Sequence, residues 1–363
     1  MCDGGGLEAG AAGDAGALLR RASRTRDRRF WLALGGVAAA LLGAVLGIGL
    51  GSVSVPPGDT VTIVLDHLFG THLSTADPAT AAIVWELRVP RVLTAMVVGV
   101  GLAVAGATFQ GLLRNPLADP YVLGTASGAA LGAAVALLLP FRALVFGFGL
   151  VNAFAFAGAV IAITVVYRLA RVSGLAPLTG LLLTGYAVGS LLAAGLTLTM
   201  YFSGSALRQI FSYLLGSFDS SSWERLAAAL PLVLVGSTLI AARARVLNGL
   251  LLGEESAAHL GIDVGRERTI LLGLASMVTA AAVTVSGLIG FVGLVVPHLV
   301  RLLIGPNARS VLPLAALWGA VLLVYSDLAA RILGDIPVGV VTSLIGAPFF
   351  LALLRRARTG YEL

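Results

Sequence analysis

The chain is built from ten apolar stretches of membrane-spanning length joined by short hinges, and the hinges hold most of its arginines. This pattern fixes the solvent before anything else. The segment Phe30 to Gly51 carries no charged side chain. At about 1.5 Å per helical residue it reaches roughly 33 Å, enough to cross a hydrocarbon core of about 30 Å. Comparable runs follow at Val92 to Leu113, Tyr121 to Pro140, Ala143 to Tyr167, Leu178 to Phe202, Leu226 to Ala242, Ile270 to Ile289, Phe291 to Ile304, Val311 to Leu333 and Val338 to Leu354. Charged residues make up only 12% of the chain, against about 25% in soluble proteins, which sets aside a soluble helical core. Backbone groups in hydrocarbon must be satisfied within their own segment, so the runs are expected to be helices. The expected fold class is an all-α integral membrane protein with ten transmembrane helices per subunit.

The net charge of +6 comes from arginine, for the chain has no lysine, and it does not suggest nucleic acid. Six arginines (Arg20, Arg21, Arg24, Arg26, Arg28 and Arg29) stand directly before the first run. The positive-inside rule places that end in the cytoplasm. Alternating from there puts 18 arginines inside and six outside, namely Arg88, Arg91, Arg142, Arg208, Arg225 and Arg331. Ten crossings with both termini inside are self-consistent, and the expected location is the cytoplasmic (inner) membrane. Gly124, Gly128 and Gly132 recur every four residues on one helix face, which reads as close helix packing rather than a pore lining.

Residues 1–29 are rich in Gly, Ala and charge without apolar periodicity, and read as a disordered cytoplasmic tail; residues 357–363 form a second cytoplasmic tail. The first run is longer than a secretory signal's and is not closed by a convincing cleavage site, so it reads as a retained helix. Cys2 is the only cysteine and permits no internal disulfide. The outside loop from Ser52 to Val89 has an amphipathic piece around Val61 to Phe69, and Trp85 stands where interfacial aromatics usually sit. It ends at Arg88-Val89-Pro90-Arg91, with Pro90 suited to a first helical turn. Cations are disfavoured at a helix N-terminus and on this side of the membrane. An acidic partner from outside, lipid headgroups or an intrachain bridge to Glu86 would each compensate.

Three blocks carry a family resemblance. The first is Arg88-Val89-Pro90-Arg91 with Gly106-Ala107-Thr108-Phe109-Gln110-Gly111-Leu112-Leu113-Arg114-Asn115-Pro116-Leu117-Ala118-Asp119-Pro120 and Leu123-Gly124. The second runs from Gly287 through Pro297-His298 to Arg301, and the third holds Ile336-Pro337-Val338-Gly339 and Gly346-Ala347-Pro348. Together they resemble the FecCD-type permease subunits of ABC importers for iron-siderophores, haem and cobalamin. The likeness covers about Phe30 to Arg356, a single permease domain of residues 30–356.

That resemblance implies ten helices per subunit and a homodimer around a central pathway. The implied partners are a second copy of the chain, two cytoplasmic ABC ATPase subunits, an extracytoplasmic substrate-binding protein and membrane lipid. Arg88, Arg91 and Arg331 match the positions at which the family docks its binding protein. The longest inside hinge contains Gly253, Glu254, Glu255, Ala257, Ala258, Leu260 and Gly261, within a coupling helix at about 250–262 that meets the ATPase. Physically this reads as a short helix stopped by Gly261. The cargo is open among the family's chelates, with ferric siderophore first as the commonest.

Asp327 is an ionisable residue in an apolar run, but Arg331 stands one turn on and makes an i,i+4 ion pair the simpler reading. Proline-broken ends at Asn115-Pro116-Leu117 and at Pro177-Leu178-Thr179 suggest an inner gate formed by Asn115, Leu117, Leu178 and Thr179. Pro297-His298 is open between a helix-end cap and a functional role. There is no phosphate loop and no zinc motif, so no catalytic or metal residue is assigned and no cofactor is expected in this chain. ATP and Mg are expected on the partner ATPase. A faint echo of residues 103–111 in residues 284–293 hints at a duplicated half.

Overall fold

A computed structural model describes residues 5–51, 54–140, 144–145, 148–172 and 177–358; within these, the side chains of residues 5–25, 122, 144–145, 148, 171–172, 177–179, 354 and 356–358 are not described. Fifteen α-helices follow in chain order. They are α1 (Gly5–Gly49), α2 (Pro57–Phe69), α3 (Pro78–Ala82), α4 (Val89–Leu112), α5 (Thr125–Leu138), α6 (Leu150–Val172), α7 (Pro177–Tyr201) and α8 (Leu207–Leu215). The remainder are α9 (Trp223–Ala242), α10 (Ala244–Leu251), α11 (Glu254–His259), α12 (Val264–Ser286), α13 (Val292–Ile304), α14 (Ala308–Ile332) and α15 (Val338–Arg358). Seven are long and apolar enough to cross a membrane, and α5, α13 and α15 are shorter apolar helices that complete the expected ten. The end carrying Arg88, Arg91 and Arg331 is called outer here, and the opposite end inner.

Three boundaries differ from the sequence reading. Helix α1 begins at Gly5 rather than near residue 30: the Ala, Leu and Arg residues nearest the span favour helix and extend one already nucleated by it, whereas Gly5, Gly6, Gly10, Gly13 and Gly16 do not. The run expected from Tyr121 to Pro140 is split. Asp119 accepts the Tyr121 N–H at 2.8 Å and caps a 3₁₀ turn over Pro120–Leu123, and α5 starts only after Gly124 at φ 76°. The run expected from Ala143 starts as a two-residue pairing of β1 (Leu144–Val145) with β2 (Phe148–Gly149), and helix begins at Leu150.

Helix α4 is the axis of the bundle. It packs on α9, α12, α13 and α14, and 83% of the apolar window of the span that contains it is buried, against 11% for α7. Glycine makes these crossings possible. A Cβ on Gly106 would lie 1.9 Å from the Gly293 carbonyl oxygen, and one on Gly99 would lie 2.2 Å from that of Gly319. The Gly128 and Gly132 row meets the backbone of Gly158 and Phe154 in the same way, so the four-residue spacing packs α5 on α6.

On the outer side, α2 buries Thr60 and Ile63. Asp66 receives the Thr71 hydroxyl and the Leu73 and Ser74 N–H groups at 2.6 to 2.7 Å, closing the loop after it. The Thr71 hydroxyl bond is the largest cause of a carboxyl pKa held below its ordinary value. The His67 ring stacks on Trp85 at 4.7 Å and Trp85 lies 4.8 Å from Trp223, whose Nε1 donates to the Trp85 carbonyl at 3.0 Å. This aromatic stack fastens the outer loop to the start of α9.

Gly106→Ala forces a methyl into a backbone carbonyl and is expected to cost about 1–3 kcal/mol or more. Gly273→Ala, in α12 with nothing within 4 Å of the added Cβ, is expected to be neutral or stabilising by up to about 1 kcal/mol. Thermal unfolding of the two variants in lipid nanodiscs checks the contrast.

Candidate functional site

At the outer end the arginines fold inward. Helix α1 stops at Gly49 with its last carbonyls facing no further turn. Arg88 Nη1 donates to the carbonyls of Ile48 at 2.9 Å and Gly49 at 3.0 Å. Arg331 meets the same helix end, through Nη2 to Gly47 at 2.8 Å and Nη1 to Leu50 at 2.9 Å. The structure adds their direction, which the sequence left open: Arg88 is only 6% exposed, and the guanidiniums complete a helix C-terminus, which also favours positive charge.

Asp327 is 1% exposed and organises the rest. Arg91 grips it through Nη2 to Oδ1 at 2.8 Å and Nε to both oxygens at 3.0 and 3.2 Å. Its Nη1 extends to Asp219, after α8, at 2.8 Å. Arg331 Nε lies 3.2 Å from Asp327 Oδ2, an ion-pair distance without hydrogen-bond alignment. The expected i,i+4 pair is present, and the stronger contact comes from Arg91, 236 residues away in sequence. Neither Asp219 nor this long-range contact was visible in the sequence, since only the fold brings α4, α14 and the α8–α9 loop together.

In the middle of the bundle, Pro297 lies inside α13 and supplies no N–H to the Gly293 carbonyl four residues earlier. Gln110 of α4, 2% exposed, turns its amide to this break: Nε2 donates to Leu294 O at 3.0 Å and, at a longer 3.4 Å, to Gly293 O. Arg301 donates to the Gln110 side-chain oxygen through Nη1 and to Ala107 O through Nη2 at 2.8 Å. The Tyr121 hydroxyl donates to Ile289 O at 2.9 Å. A Cβ on Gly339 would collide with Leu215 O and Leu288 O, and one on Gly346 with the Phe291 ring. The three sequence blocks therefore meet around residues 287–294. Pro297 is a break repaired by another helix rather than a helix-end cap. A glutamine in an apolar run, matched to a carbonyl freed by a distant proline, is the signal that could have revealed Gln110.

At the inner end, Gly253 at φ 113° turns the chain from α10 into α11. Helix α11 closes as expected at Gly261, with the Gly261 N–H on Ala258 O at 2.9 Å and the Ile262 N–H on Ala257 O at 3.1 Å, the paired bonds of a Schellman end. Ala257 is buried, whereas Glu255, Ala258, His259 and Leu260 are exposed. Leu252 and Leu260 leave 68% and 64% of their surface open. Two contacts tie this element to the spans. Glu254 pairs with Arg268 of α12 at 2.5 Å. Asn248 of α10 accepts the Ala308 N–H at 2.8 Å and donates to Asn307, the N-cap of α14, at 3.0 Å. Of the gate residues, Asn115 is exposed and its Oδ1 accepts the Leu117 N–H at 2.9 Å. The side chains of Leu178 and Thr179 lie outside the described residues.

Removing Asp327 takes the buried counter-charge from two largely buried guanidiniums, leaving Arg91 with exposed Asp219 and Arg331 with backbone carbonyls alone. Asp327→Ala is expected to cost about 3–5 kcal/mol, and Asp219→Ala, on an exposed carboxylate, at most about 1 kcal/mol. Thermal melts followed by tryptophan fluorescence in detergent check the ranking.

Residues 39–356 match the FecCD transport family. The cobalamin import system permease of Halobacterium salinarum is 46% identical over 319 residues, 87% of this chain and 85% of that protein. The hemin transport system permease of Yersinia pestis is 44% identical over 283 residues, 76% of this chain and 84% of that protein. A solved metal-chelate type ABC transporter in an inward-facing conformation is similar at TM-score 0.76 and 32% identity, covering 89% of this chain and 98% of its own. With the outer arginine cluster, the glycine-packed centre and the projecting α11 in place, this chain belongs to the FecCD transport family and is a multi-pass permease of a type II ABC importer.

Proposed function

We propose that the chain carries a bulky iron chelate, a ferric siderophore first, from an extracytoplasmic binding protein across the inner membrane into the cytoplasm, with both termini cytoplasmic. The observation that carries this reading is the pairing of two specialised ends. One end projects an exposed short helix tied by Glu254–Arg268 and Asn248–Asn307 to two spans. The other presents the Arg88, Arg91, Arg331 and Asp219 cluster. Cobalamin is the second reading, favoured by the 46% identity to a cobalamin permease; the hemin relative keeps iron-bearing cargo in view.

In this reading, Gly253, Glu254, Glu255, Ala257, Ala258, Leu260 and Gly261 form the coupling element that seats in a cleft of the ATPase. Leu252, Ala258 and Leu260 supply apolar contact, and the Glu254–Arg268 bridge passes motion to α12. ATP and Mg bind the two partner ATPase subunits, and this chain contributes no hydrolytic group. The binding protein docks on the outer face shaped by Arg88, Arg91 and Arg331. Because two of these guanidiniums hold α1 and the third holds Asp327 and Asp219, they act largely by fixing that face, with their remaining exposed edges contributing charge steering. A second copy completes the pathway, and the sparsely buried α7 offers a broad apolar face within the bilayer. Asn115, Leu117, Leu178 and Thr179 are proposed to close the inner mouth.

Ala258→Asp adds charge to the exposed side of α11 without disturbing buried Ala257. It is expected to weaken ATPase co-purification at least about tenfold while leaving the permease's own melting temperature unchanged. Retained ATPase binding and chelate-stimulated hydrolysis in proteoliposomes would remove α11 from the coupling role. Determining which chelate the cognate binding protein holds decides between ferric siderophore and cobalamin.

A further inference from the structure

We propose that the outer cavity between α6, α8, α9 and the end of α12 is a binding site for a small carboxylate ligand. The cavity measures about 260 Å³. Asn152, in the first turn of α6, lines it at 3% exposure, and its Nδ2 donates to no described residue. A buried amide donor left empty is unfavourable, so its orientation toward a cavity points to a bound acceptor. The Arg225 side chain, near the start of α9, lines the same space with no hydrogen bond or salt bridge to a described residue; its backbone N–H donates to Ser222 Oγ at 3.3 Å, and the adjacent Glu224 charge acts on its guanidinium. Its sequence neighbour Glu224 is exposed.

The remaining polar groups select the sign of the ligand. Asp219 borders the cavity, but its Oδ1 is held by Arg91 at 2.8 Å. The negative charge of Asp219 at the rim is thus matched within the chain, whereas no described carboxylate lies within salt-bridge distance of the positive Arg225 guanidinium, which feels the exposed Glu224 beside it. The Tyr213 hydroxyl donates to Val283 O, and the Ser286 hydroxyl donates to Ala282 O and Gly287 O, so neither competes for a guest. The donor-bearing side chains of Arg225, Asn152, Ser212 and Ser220 line the cavity together with apolar Leu137, Val151 and Val285. A guanidinium fork beside an amide matches the two oxygens of a carboxylate, and the apolar walls suit a short aliphatic frame. A cation would find no unpaired carboxylate. The inference needs only this cavity, not the transport reading.

The test uses the full chain in lipid nanodiscs, with citrate as probe in equilibrium dialysis, free and loaded with iron(III). Saturable binding is expected, weakened at least about tenfold by Arg225→Gln and several-fold by Asn152→Ala. Arg208→Gln, an exposed outer arginine outside the cavity, should leave it unchanged, and the neutral triamide of citrate should bind about tenfold more weakly. Equal binding of free and iron-loaded citrate assigns the site to free carboxylates, and preference for the loaded form assigns it to a chelate; both support the proposal. Absence of saturable binding up to about 10 mM, equal binding of the triamide, or equal losses in Arg208→Gln and Arg225→Gln would overturn it. Arg225→Lys, which keeps the charge, guards against misfolding as the cause of a loss: it should bind more tightly than Arg225→Gln, and loss as severe as in that variant would also overturn the proposal. Failure here leaves import untouched, whereas loss of ATPase coupling with citrate binding intact would count against the import reading alone.

Discussion

Hydrocarbon offers no water to a carbonyl that its own helix has left behind, and this chain leaves several. At three places among the described residues a side chain from elsewhere in the bundle meets them. Gln110 turns to the backbone freed by Pro297, Tyr121 reaches Ile289, and Arg88 and Arg331 meet the last carbonyls of α1. An unmet buried acceptor would cost about 1–3 kcal/mol. These contacts therefore specify how α1, α4, α13 and α14 sit against each other, where apolar contact with lipid would be indifferent between many arrangements. Glycine permits the close approach, and the polar side chains select one register.

The same constraint fixes the geometry of the two ends. Proteins that change shape need elements with a defined position and a defined partner. Helix α11 is short, stopped by a Schellman end and held by Glu254–Arg268, with its neighbour α10 bound to the N-cap of α14 through Asn248. Force applied there reaches α12 and α14 directly. At the far end of α14, Asp327 holds Arg91 of α4, which in turn holds Asp219 beside α8. One helix thus joins α10, next to the proposed coupling helix, to the outer charged cluster.

Much of this architecture was legible in the sequence because it follows from composition. Long runs without charge can only be spans, Pro90 opens its helix, and Gly261 closes α11. The missed features are those where composition is ambiguous or partners are distant. Leu144 to Gly149 is as apolar as a helix, so the short hairpin was hidden inside a run. Arg88 and Arg331 were recognisable as cations at helix ends, but not the direction in which they point. That depends on where α1 stops relative to α4 and α14. Asn152, Asp219 and Arg225 come from three separate elements and acquire meaning only when the fold encloses a cavity between them.

The central claim is that the single span α9 separates the Asp219 loop from α11, so that the two lie on opposite sides of one membrane. Single cysteines at Ala258 and Ser220, both exposed, introduced into a chain with Cys2→Ser, test it in sealed right-side-out vesicles. A membrane-impermeant maleimide is expected to label the Ser220→Cys chain at once and the Ala258→Cys chain only after the vesicles are opened. Labelling of both positions from the same side would contradict the account.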